Sequence, residues 1–304
     1  MTFEPTGIAS LALDPRQFIG IPIALVGAVF MSFGAQYQHR GVNKVEANTS
    51  EIGNGGLNLR QLLLLLRRPS WVFGTLMLGA AIVFQLVALV FSPLVVVQPL
   101  GAVALVITTI LNARISHVKP TGRSLTAICL CVGGVGVFVA IAAFTTRNVP
   151  VTERALITIL IILGSVLVVF GIVFALLRNR FKAIVYVVGA GVLYGFVATL
   201  AKVVIARVQQ AQFDWLTAMC IVGLLAAVGL GAFFVQNAYS SGPPDLVIAG
   251  LTVIDPLVAV AIGIVVLHEA AEAPLWAAIA FLITGVVAIV GVFMLAKYHP
   301  QAEA

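Results

Sequence analysis

The sequence predicts an all-α integral membrane protein of nine transmembrane helices, arranged as two inverted four-helix repeats joined by a linking helix. Composition is the first ground. Of 304 residues, 61% are hydrophobic and only 9% are charged, whereas soluble domains carry about 25% charged residues. The second ground is a set of nine apolar runs of about 20 residues, the length that crosses a ~30 Å hydrocarbon core. The third is a phrase written twice. "LVVVQPLGAVALVITTILNA" (94–113) and "LTVIDPLVAVAIGIVVLHEA" (251–270) align at an offset of 157, which sets Gln98-Pro99-Leu100 on Asp255-Pro256-Leu257 and Asn112 on Glu269.

The nine runs lie at about 18–38, 71–91, 94–113, 124–144, 154–177, 183–206, 215–236, 246–267 and 275–296. None alternates apolar and polar residues as a membrane strand would. The opening "MTFEPTGIASLALDPRQF" lacks a basic start and carries Glu4 and Asp14, so it does not read as a cleaved signal peptide and the first run is kept as a span. The segment 39–70 is the long loop. Its middle, "ANTSEIGNGGLN", is polar and glycine-rich, and "LNLRQLLLLLRRPSW" follows with too few apolar residues to span; an amphipathic helix lying on the cytoplasmic interface is expected there. Residues 1–144 form the first repeat, 154–177 the linking helix and 183–304 the second repeat.

Arginines and lysines set the orientation. With the amino terminus outside, the inner segments hold twelve: Arg40, Lys44, Arg60, Arg67, Arg68, Arg114, Lys119, Arg123, Arg178, Arg180, Lys182 and Lys297. The outer ones hold four, namely Arg16, Arg147, Arg154 and Arg207, and Lys202 falls within a span. Basic residues accumulate on the cytoplasmic side, which puts the carboxy terminus inside a cell-membrane protein. The net charge of +6 therefore marks cytoplasmic loops and not a nucleic-acid partner.

The repeat extends beyond the doubled phrase. "FQLVALVFSP" (84–93) and "VQNAYSSGPP" (235–244) each place a glutamine, Gln85 or Gln236, eight residues before a proline. "VFMSFGAQYQH" (29–39) aligns more loosely with "LYGFVATLAKV" (193–203). Four helices would return the chain to its starting side, but the single linking helix reverses the second copy. Inverted repeats are a recurring build of secondary transporters, with the substrate held near the midplane between the halves.

On "LVALVFSPLVVVQPLGAVALVITTILNARIS", "AGVLYGFVATLAKVV" and "TVIDPLVAVAIGIVVLHE", the chain resembles the drug/metabolite transporter superfamily, in its EamA-type and NIPA-like branches. "SPLVVVQPLGA" is similar to NIPA-like magnesium-transporter wording. EamA-type members usually have ten helices, so nine agrees better with the NIPA-like branch. The resemblance implies a permease and places a pathway-facing lysine at Lys202, after "YGFVATLA".

Polar residues inside the runs are the candidate site. Asp255 lies near the middle of its span, where a charge costs about 2.5–3.5 kcal/mol on the most lenient scale. It reads either as a protonatable, cation-binding carboxylate or as a cap on a helix restarted at Pro256, since Asp followed by Pro suits a helix start. Pro99 and Pro256 are expected to break their helices at one depth and open a cavity. Lys202 reads either as a pathway residue or as a lysine snorkelling to the interface. Gln36, Gln85, Gln98, Asn112, Gln236 and Asn237 are read as path lining or as interhelical glue. His268, Glu269 and Glu272 are expected in a solvated loop at the outer mouth.

Cys129, Cys131 and Cys220 fall inside runs, without metal-site spacing, and read as small apolar filler. "GGVGVF" (133–138) lacks the strand before it and the Lys-Ser/Thr after it that a phosphate loop needs. No nucleophile–base set and no resident metal or cofactor site stands out, so no enzyme is expected. The expected partners are the bilayer and a small-molecule or ion substrate, with the chain acting as a monomer or homodimer. Three functions fit: a solute permease, a divalent-cation (magnesium) permease, and a membrane scaffold or flippase-type helper for lipid-linked envelope precursors.

Overall fold

The computed structural model describes residues 18–46, 67–115, 121–177, 183–241 and 244–297. These form α1 (Gly20–Glu46), α2 (Pro69–Phe91), α3 (Leu94–Leu100), α4 (Ala102–Ile115), α5 (Gly122–Thr145), α6 (Glu153–Leu177), α7 (Ala183–Gln209), α8 (Trp215–Ser241), α9 (Pro244–Val265) and α10 (Leu275–Lys297). Among the described residues, 9 helical stretches are long and apolar enough to cross a membrane, and they coincide with the nine runs of the sequence. Their outward faces are apolar, as at Leu76 (67% exposed) and Leu282 (72% exposed). Water would penalise such faces, whereas lipid does not. The chain is an all-α, multi-pass membrane protein.

Local chemistry sets several helix starts. Pro69 stands in the first turn of α2 after the extended Arg68, where its missing N–H costs nothing. The Thr121 side chain accepts from the Ser124 amide at 3.3 Å and so caps α5, satisfying one of the free N–H groups of the first turn. At the other end of the chain's first span, α1 continues to Glu46, so the loop expected from residue 39 begins later. The interfacial helix expected in that loop lies at residues outside those described.

The two proline copies differ. The first copy is interrupted by one residue, Gly101, which separates α3 from α4, while Pro99 lies inside α3. In the second copy α9 runs unbroken through Pro256. The expected pair of matched breaks is therefore corrected to one interruption and one intact helix. Intact is not undisturbed, because Pro256 has no N–H to offer the carbonyl of Thr252.

Packing follows small residues. α1 lies mainly against α2, α5 against α10, and α7 against both α8 and α9, while α3 also touches α9. A Cβ on Gly191 would lie 2.6 Å from Ile254 Cβ, and one on Gly195 would lie 2.6 Å from Val258 Cβ. Gly191 and Gly195 are one helical turn apart, so they form a groove that brings the α7 backbone against α9 on both sides of Asp255. Gly134 does the same for α5 and α10, with a Cβ there falling 2.7 Å from the Ala288 amide nitrogen. The small residues thus fix which helices approach closely, and the approach sets the position of Asp255.

Candidate functional site

A half-open cavity of about 550 Å³ lies between α1, α2, α3, α4, α7 and α9, with exposed Met31 and Ile82 at its margin. Its polar lining comes from Gln85, Gln98, Tyr194, Thr252 and Asp255. Gln98 and Asp255, the residues that occupy matching places in the doubled phrase, therefore face one space. The Gln98 amide nitrogen and Asp255 Oδ1 are buried and have no hydrogen-bond partner. Buried polar atoms are nearly always paired, and an unpaired one in an apolar surround costs several kcal/mol. The two residues thus line one cavity, and each carries a buried polar atom without a partner beside it, a place where something polar could be received.

Asp255 does not cap a restarted helix, because α9 is continuous through it. That expectation is corrected: the residue sits mid-helix with its carboxylate toward the cavity. Thr252 lies one turn earlier on α9 and lines the same cavity. Its hydroxyl bonds back to Ile248 O at 2.8 Å, and its carbonyl is the one that Pro256 leaves without a helical donor. A smaller apolar cavity of about 80 Å³ adjoins Pro99, Pro256 and Thr252 on the side of α5 and α10.

A second polar centre lies at the end of the bundle that holds the turns 92–93, 146–152 and 266–274. Lys202 is 4% exposed and Glu269 3%. Lys202 Nζ stands 2.9 Å from Glu269 Oε1 and donates to the Ser92 carbonyl at 3.0 Å. The carboxylate also accepts from the Leu94 amide at 2.9 Å and the Val95 amide at 3.0 Å, and so caps α3. His268 makes this possible. It takes a left-handed conformation (φ 56°) just after α9, which histidine tolerates better than most residues, and it turns the chain so that Glu269 points back inside.

The expectation of a solvated loop thus holds for His268 and Glu272, which are exposed, and fails for Glu269. The reason is local: the α3 amides and the Lys202 ammonium give the carboxylate a complete polar shell away from water. Lys202 in turn does not snorkel to the interface. Glu272 pairs with Arg147 at 3.1 Å on the surface, while the Arg147 amide donates to the Glu269 carbonyl at 2.8 Å.

Other candidates separate. The Gln36 amide donates to the Asn112 side-chain carbonyl, which joins α1 to α4. Gln236 is exposed on α8 and does not reach the cavity. The face of α8 that packs inward carries Cys220, Ala227, Gly231, Phe234 and Ala238, and residue 236 falls on the opposite side. Asn237 bonds its own helix at Phe233 O, 2.7 Å. Tyr194 and Thr252 were absent from the sequence candidates, though Tyr194 stands beside Gly195 in the quoted "YGFVATLAK" stretch.

Comparison with known proteins adds two matches. Over 285 residues the chain is 25% identical to an uncharacterized protein of Corynebacterium glutamicum, covering 92% of this chain and 96% of that one. Over 115 residues it is 27% identical to the probable magnesium transporter NIPA3 of Arabidopsis thaliana, covering 38% of this chain and 30% of that one. No family model matches the chain, and no solved structure matches it.

Proposed function

We propose that the chain is a secondary transporter of the drug/metabolite transporter type, which moves a small cationic or neutral solute across the cell membrane by alternating access. In this reading residues 1–144 and 183–304 are the inverted halves, 154–177 links them, and the amino terminus is outside. One observation carries the reading: Gln98 and Asp255, at matching places of the doubled phrase, both line one cavity, and each holds a buried polar atom without a partner. Inverted-repeat transporters hold substrate at that kind of place.

The lining supports the choice of charge. Among the described residues, Asp255 is the one carboxylate on it, and no lysine or arginine lines the cavity. Lys202, the nearest ammonium on α7, is already matched by Glu269. An anion would meet only like charge here. Asp255 binds the cationic group or carries the coupling proton, and Gln85, Gln98, Tyr194 and Thr252 supply orienting hydrogen bonds.

A second reading, a magnesium permease, is favoured by the match to the Arabidopsis protein. Mg²⁺ usually keeps several waters and takes one or two carboxylates, so Asp255 with the surrounding amide and hydroxyl oxygens suits a hydrated ion. Purified protein in proteoliposomes with an imposed pH gradient decides between the readings. Uptake of organic cations or neutral solutes supports the first, and uptake of Mg²⁺ alone supports the second. Transport of neither class refutes both.

A further inference from the structure

We infer that the Lys202–Glu269 pair is the latch that closes the central cavity at the 266–274 end, and that Gln36–Asn112 is its weaker counterpart at the opposite end; this rests on the transporter reading. Asn112 and Glu269 occupy the same place in the doubled phrase. Each is held by the first helix of its own copy, Asn112 by Gln36 of α1 and Glu269 by Lys202 of α7. The geometry is shared but the chemistry is not. One end is closed by a neutral amide pair, the other by a buried ion pair.

The ion pair stands at the rim of the cavity. Ala198 and Ala201 of α7 and Leu89 of α2 line it. Lys202 is the next residue on α7, and Ser92, three residues beyond Leu89, is fully buried. Through Lys202 and the carboxylate of Glu269, the α2–α3 turn, the start of α3, α7 and the 266–274 loop meet at one point. Gly263 leaves the room for it: a Cβ there would lie 3.0 Å from Glu269 Oε2 and 3.2 Å from Val95 Cγ2. Solute cannot pass this end unless those groups part.

Charge suits a latch better than a permanent brace. Buried ion pairs add little net stability, and an apolar pair of the same volume often holds as well or better. Their partners, however, are well hydrated once separated, so the contact can open into water without leaving a stranded apolar surface. In this proposal the resting protein is closed at the 266–274 end, where the Lys202 ammonium and two α3 amides hold one carboxylate.

The test uses full-length protein in membranes with Cys129, Cys131 and Cys220 changed to alanine. Ala198→Cys reports on the cavity, and Ala271→Cys on the exposed loop identifies the 266–274 side. A membrane-impermeant maleimide is applied from either side. The Ala198→Cys reporter is expected to react from the side opposite Ala271 and to be protected from the Ala271 side. Adding Lys202→Met or Glu269→Gln should speed its reaction from the Ala271 side by at least about tenfold, given what a broken buried pair costs. Glu269→Gln keeps the shape and an acceptor, so it carries the test if Lys202→Met misfolds. Unchanged protection from the Ala271 side, in protein that elutes normally, overturns the latch. Solute uptake, measured in parallel, reports on the transporter reading separately.

Discussion

Removing the Lys202 and Glu269 charges together should destabilise the protein by less than the sum of the two separate losses. Lys202→Met leaves Glu269 with its two backbone donors from Leu94 and Val95 but with no counter-ion in a site that is 3% exposed. Breaking a buried pair in this way costs about 3–5 kcal/mol. Glu269→Gln leaves the Lys202 ammonium buried without its counter-ion and costs a similar amount, about 3–5 kcal/mol. Lys202 then keeps the Ser92 carbonyl at 3.0 Å and gains the amide oxygen in place of the carboxylate. In the double variant no unmatched charge is buried. Its loss should fall short of the sum of the single losses by about 1–3 kcal/mol, the coupling expected of groups in one network. Reversible unfolding in mixed micelles, followed by tryptophan fluorescence on all four proteins, measures the cycle. A double variant whose loss equals the sum to within about 0.5 kcal/mol would show that the two residues do not act as a pair.

Three further outcomes are expected. Asp255→Asn keeps size and an acceptor but cannot ionise, so pH-driven uptake should fall tenfold or more, about 1.4 kcal/mol per decade, with melting unchanged; wild-type uptake would make Asp255 architectural. Gly195→Val drives a side chain into Val258, with a Cβ 2.6 Å from Val258 Cβ and 3.0 Å from the Asp255 carbonyl, and should cost about 1–3 kcal/mol. Gly133→Val, where a Cβ meets nothing within 4 Å, is the control and should be nearly silent, so equal losses would refute the packing account. At the start of α8, the Thr217 amide and then Arg207 hold the Asp214 carboxyl down to about 2, against some desolvation. Because the folded value is depressed, this contribution is complete above about pH 4 and is lost as the pH falls toward 2. Asp214→Ala should therefore flatten the acid loss of stability in that window, and an identical acid slope in both proteins would count against it.

The nine spans were legible because each is a run of one polarity, and the lipid-facing Leu76 and Leu282 belong to them as plainly as the buried Leu156 does. The convergence of Gln98 and Asp255 was legible from the doubled phrase, which puts the two residues at matching places. Glu269 was not. It sits among Ala270, Ala271, Glu272 and Pro274, which read as a wet turn, and its partners are two backbone amides and a carbonyl that no side-chain pattern announces. One signal did exist, since Glu269 occupies the place of Asn112, and Asn112 is also held by a first helix. Pro256 misled for the opposite reason. Proline's local preference is to end a helix, but the close seat of α9 on Gly191 and Gly195 keeps α9 regular through it. Gln236 was unreadable because α8 is apolar all round, so its inward face depends on where α7 lies.

The carboxylate that caps α3 comes 175 residues after the Leu94 amide it satisfies. A membrane chain is made and inserted from its amino terminus, so the first α3 amides and the Lys202 ammonium enter the bilayer region before their partner is synthesised. Each unmatched polar group costs several kcal/mol in hydrocarbon. A nascent chain that has laid down eight crossings is therefore still incomplete, with the start of α3 held near the headgroups or in the insertion machinery. The 266–274 loop closes the assembly when it emerges. A chain that stalls short of Glu269 is left with an uncapped α3 and with Lys202 lacking its carboxylate.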